Sequence, residues 1–170
     1  MSRLGLAGIA LVGILAGCQS QGYYPAKSDY GGYSNPRVNV PTEYTTTIVI
    51  TPSSSLRRGQ MPDVNRLQGI QVLRAGDDFS VVTSIEGPSL KTGERMRVTF
   101  EECGMEKTLK EEALSIPNIG QAICVITDVI DLQAKAIAPG THPHKWRAYH
   151  IGRDGAVISH GEYNFQSRGE

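Results

Sequence analysis

Over most of the second half of the chain, apolar and polar positions alternate with a period of two, the pattern of half-buried strands. In RMRVTFE, Met96, Val98 and Phe100 fall on one side and Arg95, Arg97 and Thr99 on the other. LQGIQVLR and FSVVTSI flank a Gly-Asp-Asp turn signal and read as two strands. Ile123 to Ile130 is an apolar, β-branched run, and alternation resumes at Leu132, Ala134 and Ala136. Lys145 to Ile151 and Ala156 to Phe165 predict a closing hairpin around Gly152-Arg153-Asp154-Gly155. With Gly152 opposite Gly155, Lys145 faces Glu162 and His160 faces Arg147. Trp146, Ala148, Val157 and Tyr163 then share a core face with His150. One segment breaks the period: Met105 to Leu114, MEKTLKEEAL, spaces Glu106 and Lys110 four apart and predicts the one short helix.

The first third reads differently. From Gln19 to about Asn65 the chain is rich in Pro, Gly, Ser and Tyr, and holds Pro25, Pro36, Pro41, Pro52 and Pro62. Such a composition buries too little apolar surface to offset ordering entropy, so it predicts a tether. As a flexible coil it spans on the order of 40 Å end to end. Within it, residues 43–51 (EYTTTIVIT) have the β-branched density of a strand. That stretch forms the first or edge strand of the folded domain, is held available, through Ile48 and Ile50, for addition to a partner's sheet, or is a disordered segment of accidental β-composition. Tyr23, Tyr24, Tyr30 and Tyr33 are candidate anchors on a partner protein, with a resting place at a membrane surface or along the domain as the alternative.

Ahead of the tether, Arg3 is followed by about fourteen residues without a charge, Leu4 to Gly17. The run has the length of a signal-peptide h-region and is short for a permanent span, which needs roughly 20 residues. It ends in Leu15-Ala16-Gly17-Cys18, which resembles the lipobox of bacterial lipoproteins. The resemblance implies cleavage before Cys18 and acylation of that cysteine, and so a membrane anchor without a membrane helix. Gln19, rather than Asp, at the next position implies the outer membrane, with the domain facing the periplasm.

Two further cysteines remain, Cys103 and Cys124. An even pair in an exported chain predicts one disulfide. Closing a loop of about twenty residues would stabilise by roughly 3 kcal/mol, and the bridge would staple the predicted helix to its flanking strands. A metal-binding pair is the competitor, but neither cysteine has another at CxxC spacing.

Formal net charge is zero, which gives no basic stripe for nucleic acid and no acidic tail for a cationic partner. Nucleophile elbows, zinc-protease helices, phosphate loops and dinucleotide fingerprints are absent from the sequence. Adjacent carboxylates at Asp77-Asp78, Glu101-Glu102 and Glu111-Glu112 read as turn or solvated-face chemistry rather than an acid/base pair. The chain is therefore read as a non-enzyme with no cofactor. His142, His144, His150 and His160 form one cluster worth weighing. His142 and His144 in His-x-His would point the same way on a strand, as zinc or copper ligands do, although Pro143 between them favours a loop or edge.

Pro139-Gly140-Thr141, Trp146-Arg147, Asp154-Gly155, Gly161 and Phe165 resemble the closing hairpin of immunoglobulin-like and fibronectin-type sandwiches. Among exported bacterial proteins they look most like the end of the small periplasmic copper-resistance sandwiches. Those place a histidine directly after Asp-Gly, where this chain has Ala156, so the resemblance implies topology and not a copper site. The expectation is a leader over 1–17, an anchor and tether over 18–65, and a mostly β, immunoglobulin-like sandwich with one short helix over 66–170. The function expected is that of an envelope lipoprotein that binds or assembles with an envelope protein, in a secretion or transfer machine. The alternative is a periplasmic metal- or ligand-binding lipoprotein using His142 and His144.

Overall fold

Period-two alternation accounts for most of the nine strands among the residues described by the structure, a computed structural model: 14–18, 42–88, 90–115 and 124–170. In chain order these are β1 Ile14–Cys18, β2 Thr45–Pro52, β3 Val72–Arg74, β4 Asp78–Gly87, β5 Arg95–Glu102, β6 Met105–Ala113, β7 Cys124–Gln133, β8 Gly140–Ile151 and β9 Val157–Gly169. They form two sheets, ordered β1-β7-β4-β2 and β3-β9-β8-β5-β6. All pairs are antiparallel except β3 with β9.

The two inner faces meet in a β-sandwich. Ile48 and Ile50 of β2, Phe79 and Val81 of β4, and Ile130 and Leu132 of β7 pack against Val98 of β5, Trp146 and Ala148 of β8 and Phe165 of β9. Trp146 is the centre of an aromatic cluster, with ring centroids 5.5 Å from Phe100, 6.3 Å from Phe79 and 6.4 Å from Phe165. At the other end Ile85, Leu90, Met96, Leu114 and Ile126 form a second, smaller core. β4 is buried on both faces, and the short turns Ser53–Ser55 and Val64–Arg66, the latter with Val64 itself buried, pack against it.

Set against the immunoglobulin pattern, β2, β4 and β7 follow the order of strands A, B and E, and β9, β8, β5 and β6 that of G, F, C and C′. The expected topology is present, and β8–β9 is its closing hairpin. Three expectations are corrected. First, Met105 to Leu114 is not helical: Met105–Ala113 is β6, and the described residues contain no α-helix. Cys103 and Gly104, at φ +52° and +75°, make a tight turn of the kind that joins two-residue hairpins. A bulge at Val98/Thr99 leaves Leu109 unpaired, and Leu109 packs on the main core.

Second, the β8–β9 register is shifted by two residues, so Arg147 rather than Lys145 faces Glu162, and Tyr149 rather than Arg147 faces His160. A two-residue shift preserves the faces. Trp146, Ala148 and His150 do point into the core, whereas an irregularity at His150/Ile151 leaves Val157 54% exposed. Third, the boundary at residue 66 falls too late: of the readings of 43–51 the edge strand is the one present, since β2 is an edge strand of the first sheet and contributes Ile48 and Ile50 to the core.

Candidate functional site

The exposed strand edges of the two sheets are treated unequally. On β2 the outer side is taken by the following loop: Ile70 N–H donates to the Ile50 carbonyl at 2.7 Å, and the Thr51 hydroxyl to the Gln68 carbonyl at 2.9 Å. β3 has only three residues. β6 is lined with charge, and Lys107 pairs with Glu102 while Glu111 meets Arg95 at 2.8 Å and Arg97 at 2.7 Å. β7 instead carries β1, antiparallel, with Ile14 opposite Ile130, Ala16 opposite Asp128 and Cys18 opposite Ile126. The lipobox-like residues Leu15 to Cys18 are therefore the last four of a strand laid on that edge.

The outer face of the five-stranded sheet is a closed network around Arg147. Its Nε donates to Glu162 at 3.0 Å, and its other nitrogens lie 3.8 Å from Glu101 and 3.7 Å from Glu106. Glu101 and Glu106 are directly opposed across β5–β6, so the guanidinium offsets a like-charge cross-strand pair. The Tyr149 hydroxyl donates to Glu106 at 2.6 Å, and Thr99 bonds the same oxygen. These two hydroxyls hold the Glu106 carboxyl below its ordinary range. The charges around Arg147 are paired with one another.

Beside the β5–β6 turn lies a groove of about 760 Å³, between Cys103 and Glu101 on one side and Val72 on the other, floored by His144, Lys145 and Phe165. His144 stacks on Phe165 at 5.0 Å and shares a hydrogen bond with the Ser167 hydroxyl at 2.7 Å. Burial, and then the neighbouring His142, push its pKa down. His142 Nε2–H donates to the carbonyls of Ala138 and Pro139 at 3.1 and 3.2 Å. Pro143 does not end the strand, because this half of β8 pairs with β9 alone and β5 stops short of it. Among the described residues no third His, Cys, Asp or Glu joins the two histidines in a metal-holding group.

Cys103 is a free, exposed thiol, so the expected bridge to Cys124 is not formed in this structure. The topology gives the reason. Cys103 follows β5 beyond Phe100, at the Trp146 end of the sandwich. Cys124 opens β7 opposite Gly87, beyond Ile126 at the other end. Of the partner-binding candidates, Ile48 and Ile50 are 3% and 0% exposed and serve the core. Tyr23, Tyr24, Tyr30 and Tyr33 lie outside the described residues.

A group that sequence reasoning placed in the core without a partner is His150. It is 0% exposed, and its Nε2–H donates to Glu94 at 2.9 Å, with Glu94 4% exposed. Tyr44 packs edge-on against the imidazole at 4.8 Å. The Glu94 carboxylate also accepts the Lys91 amide. The pair braces the end of the sandwich where β2 begins, and Glu94 carried no signal in the sequence because it sits in a loop. No helix among the described residues is long and apolar enough to cross a membrane.

No protein-family model and no curated protein matches this chain.

Proposed function

We propose that the protein is an acylated envelope lipoprotein, anchored through Cys18 on the outer membrane, whose sandwich faces the periplasm as a protein-binding or assembly subunit. A secretion or transfer machine is the kind of assembly this fits. The observation that carries the reading is the uncharged run closed by Leu15-Ala16-Gly17-Cys18.

Growth with an alkyne-tagged fatty acid tests the anchor. The wild type takes up the label and fractionates with membranes, and Cys18→Ala does neither; an unlabelled wild type sinks the reading. In-cell crosslinking followed by mass spectrometry tests the subunit role, which requires a stoichiometric protein partner. Deleting residues 23–41 asks whether the tyrosine segment makes the contact while sparing β2, whose loss would remove Ile48 and Ile50 from the core.

A further inference from the structure

We infer that β7 is a strand-acceptor edge, filled in the processed protein by an extended, uncharged segment of a partner protein that takes the place of β1. The inference rests on the acylation reading, since cleavage before Cys18 is what removes Ile14 to Gly17. Those residues are the register partners of Ile130, Val129, Asp128 and Thr127.

Topology shows why the place matters. In the immunoglobulin order A-B-E-D, strand D lies beside E, the position that β7 holds here. Among the described residues nothing but β1 occupies the D position. Removal of β1 leaves the first sheet with β7, β4 and β2, and the outward-facing N–H and C=O groups of residues 126–130 without a strand.

Natural sheets guard such edges with lysine, proline, bulges, short strands or covering loops. The other edges of this sandwich carry those devices: the 68–70 loop on β2, charge and a bulge on β6, and three residues only in β3. From Ile126 to Ile130, β7 has neither lysine nor proline. Its one charge, Asp128, is 1% exposed and turned to Lys110 at 2.7 Å, so it does not guard the edge. β-branched residues occupy the other four positions, Ile126, Thr127, Val129 and Ile130. An unguarded, β-favouring edge that already accepts five residues in antiparallel register is suited to strand addition.

The seated strand also defines the guest. It carries no charge, and a small residue, Ala16, holds the register position opposite Asp128. A carboxylate there would oppose like charge across the strands.

The test uses the processed, acylated protein in mild detergent, with its first residue established by intact mass. The probe is a synthetic peptide of residues 12–20 carrying Cys18→Ser. It is expected to bind one to one and to slow amide exchange across residues 124–133 at least tenfold. N-methylation of alternate peptide amides is expected to weaken binding at least tenfold in one phase and less than twofold in the other. Ala16→Glu in the peptide is expected to cost at least tenfold. Absent binding, or binding indifferent to the methylation phase, overturns the inference. So does protection of 124–133 without peptide, whether concentration-independent (the chain's own tether on the edge) or concentration-dependent (a second copy). A mass that retains the leader overturns the acylation reading itself and leaves the edge filled by β1, a result that peptide binding cannot mimic.

Discussion

Lys110 of β6 reaches across the sandwich to Asp128 of β7, Nζ to Oδ2 2.7 Å, with 11% and 1% of the two side chains exposed. The pair joins opposite sheets at one edge. Glu112 lies 2.9 Å from the same ammonium, and Asp128 Oδ1 has no hydrogen-bond partner. Removing the cation from a buried pair leaves an uncompensated carboxylate, so Lys110→Met should destabilise by about 3 kcal/mol at neutral pH. Replacing both groups by apolar residues of similar size should restore most of that loss. Urea unfolding of the single and double variants checks this, and additive losses would mean the pair is not coupled.

The same carboxyl predicts a pH dependence of unusual sign. Burial, outweighing the bond from Lys110, raises the Asp128 pKa, so the folded state holds this proton more tightly than the unfolded state. Its contribution is fully present below the ordinary carboxylate value and is lost as pH rises through the raised folded value. Asp128→Asn removes that dependence. The wild type should therefore compare best with D128N near pH 4 and fall behind as pH rises to 7. Parallel urea midpoints at the two pH values would show that Asp128 titrates normally.

β9 passes β2 so closely at Gly161 that a Cβ there would stand 2.5 Å from the Thr46 carbonyl oxygen. That atom is backbone and cannot swing aside. Gly161→Ala should cost about 2 kcal/mol, within the usual range for overpacking. An unchanged thermal midpoint would show that the sheets have room to separate.

Much of this architecture was legible because burial leaves a period in the sequence. Met96, Val98, Trp146, Ala148 and His150 took their faces from simple alternation. The closing hairpin was placed in the chain although its register slipped, since a shift of two costs no face and the irregularity at Ile151 has no compositional marker. β6 looks helical in the sequence for a physical reason. It is an edge strand exposed on most of its length, so it shows no apolar alternation, and its Glu and Lys residues suit a helix surface as well as a strand. The ion pairs of Glu111 run across strands, to Arg95 and Arg97, and such pairs leave no local spacing. The Cys103-Gly104 turn was the available signal, obscured by reading the cysteine as half of a disulfide. Glu94 and Lys110 meet His150 and Asp128 only through tertiary folding.

Cys103 itself gives a prediction. It is exposed and free, and at φ +52° it occupies a conformation that glycine or asparagine adopts at lower cost. Unreduced, folded protein should take up maleimide at Cys103. Cys103→Asn should keep the fold and gain up to about 1 kcal/mol. A protein that is blocked to maleimide until reduced, and destabilised by reduction, would restore the bridge to Cys124.

His144 sits against Phe165 with Ser167 on its Nε2, and burial lowers its pKa, with the neighbouring His142 adding to the effect. The folded state therefore resists the imidazolium more than the unfolded state does. Stability from this group is present above the ordinary histidine value and declines as pH falls from there toward the lowered folded value. The ring proton resonances of His144 should titrate below the ordinary histidine value. His144→Gln, which can still bond Ser167, should abolish the part of the weakening between pH 7 and 5 that belongs to this ring. A normal titration of His144 would mean that the groove admits water to the imidazole freely and that Phe165 does not shield it.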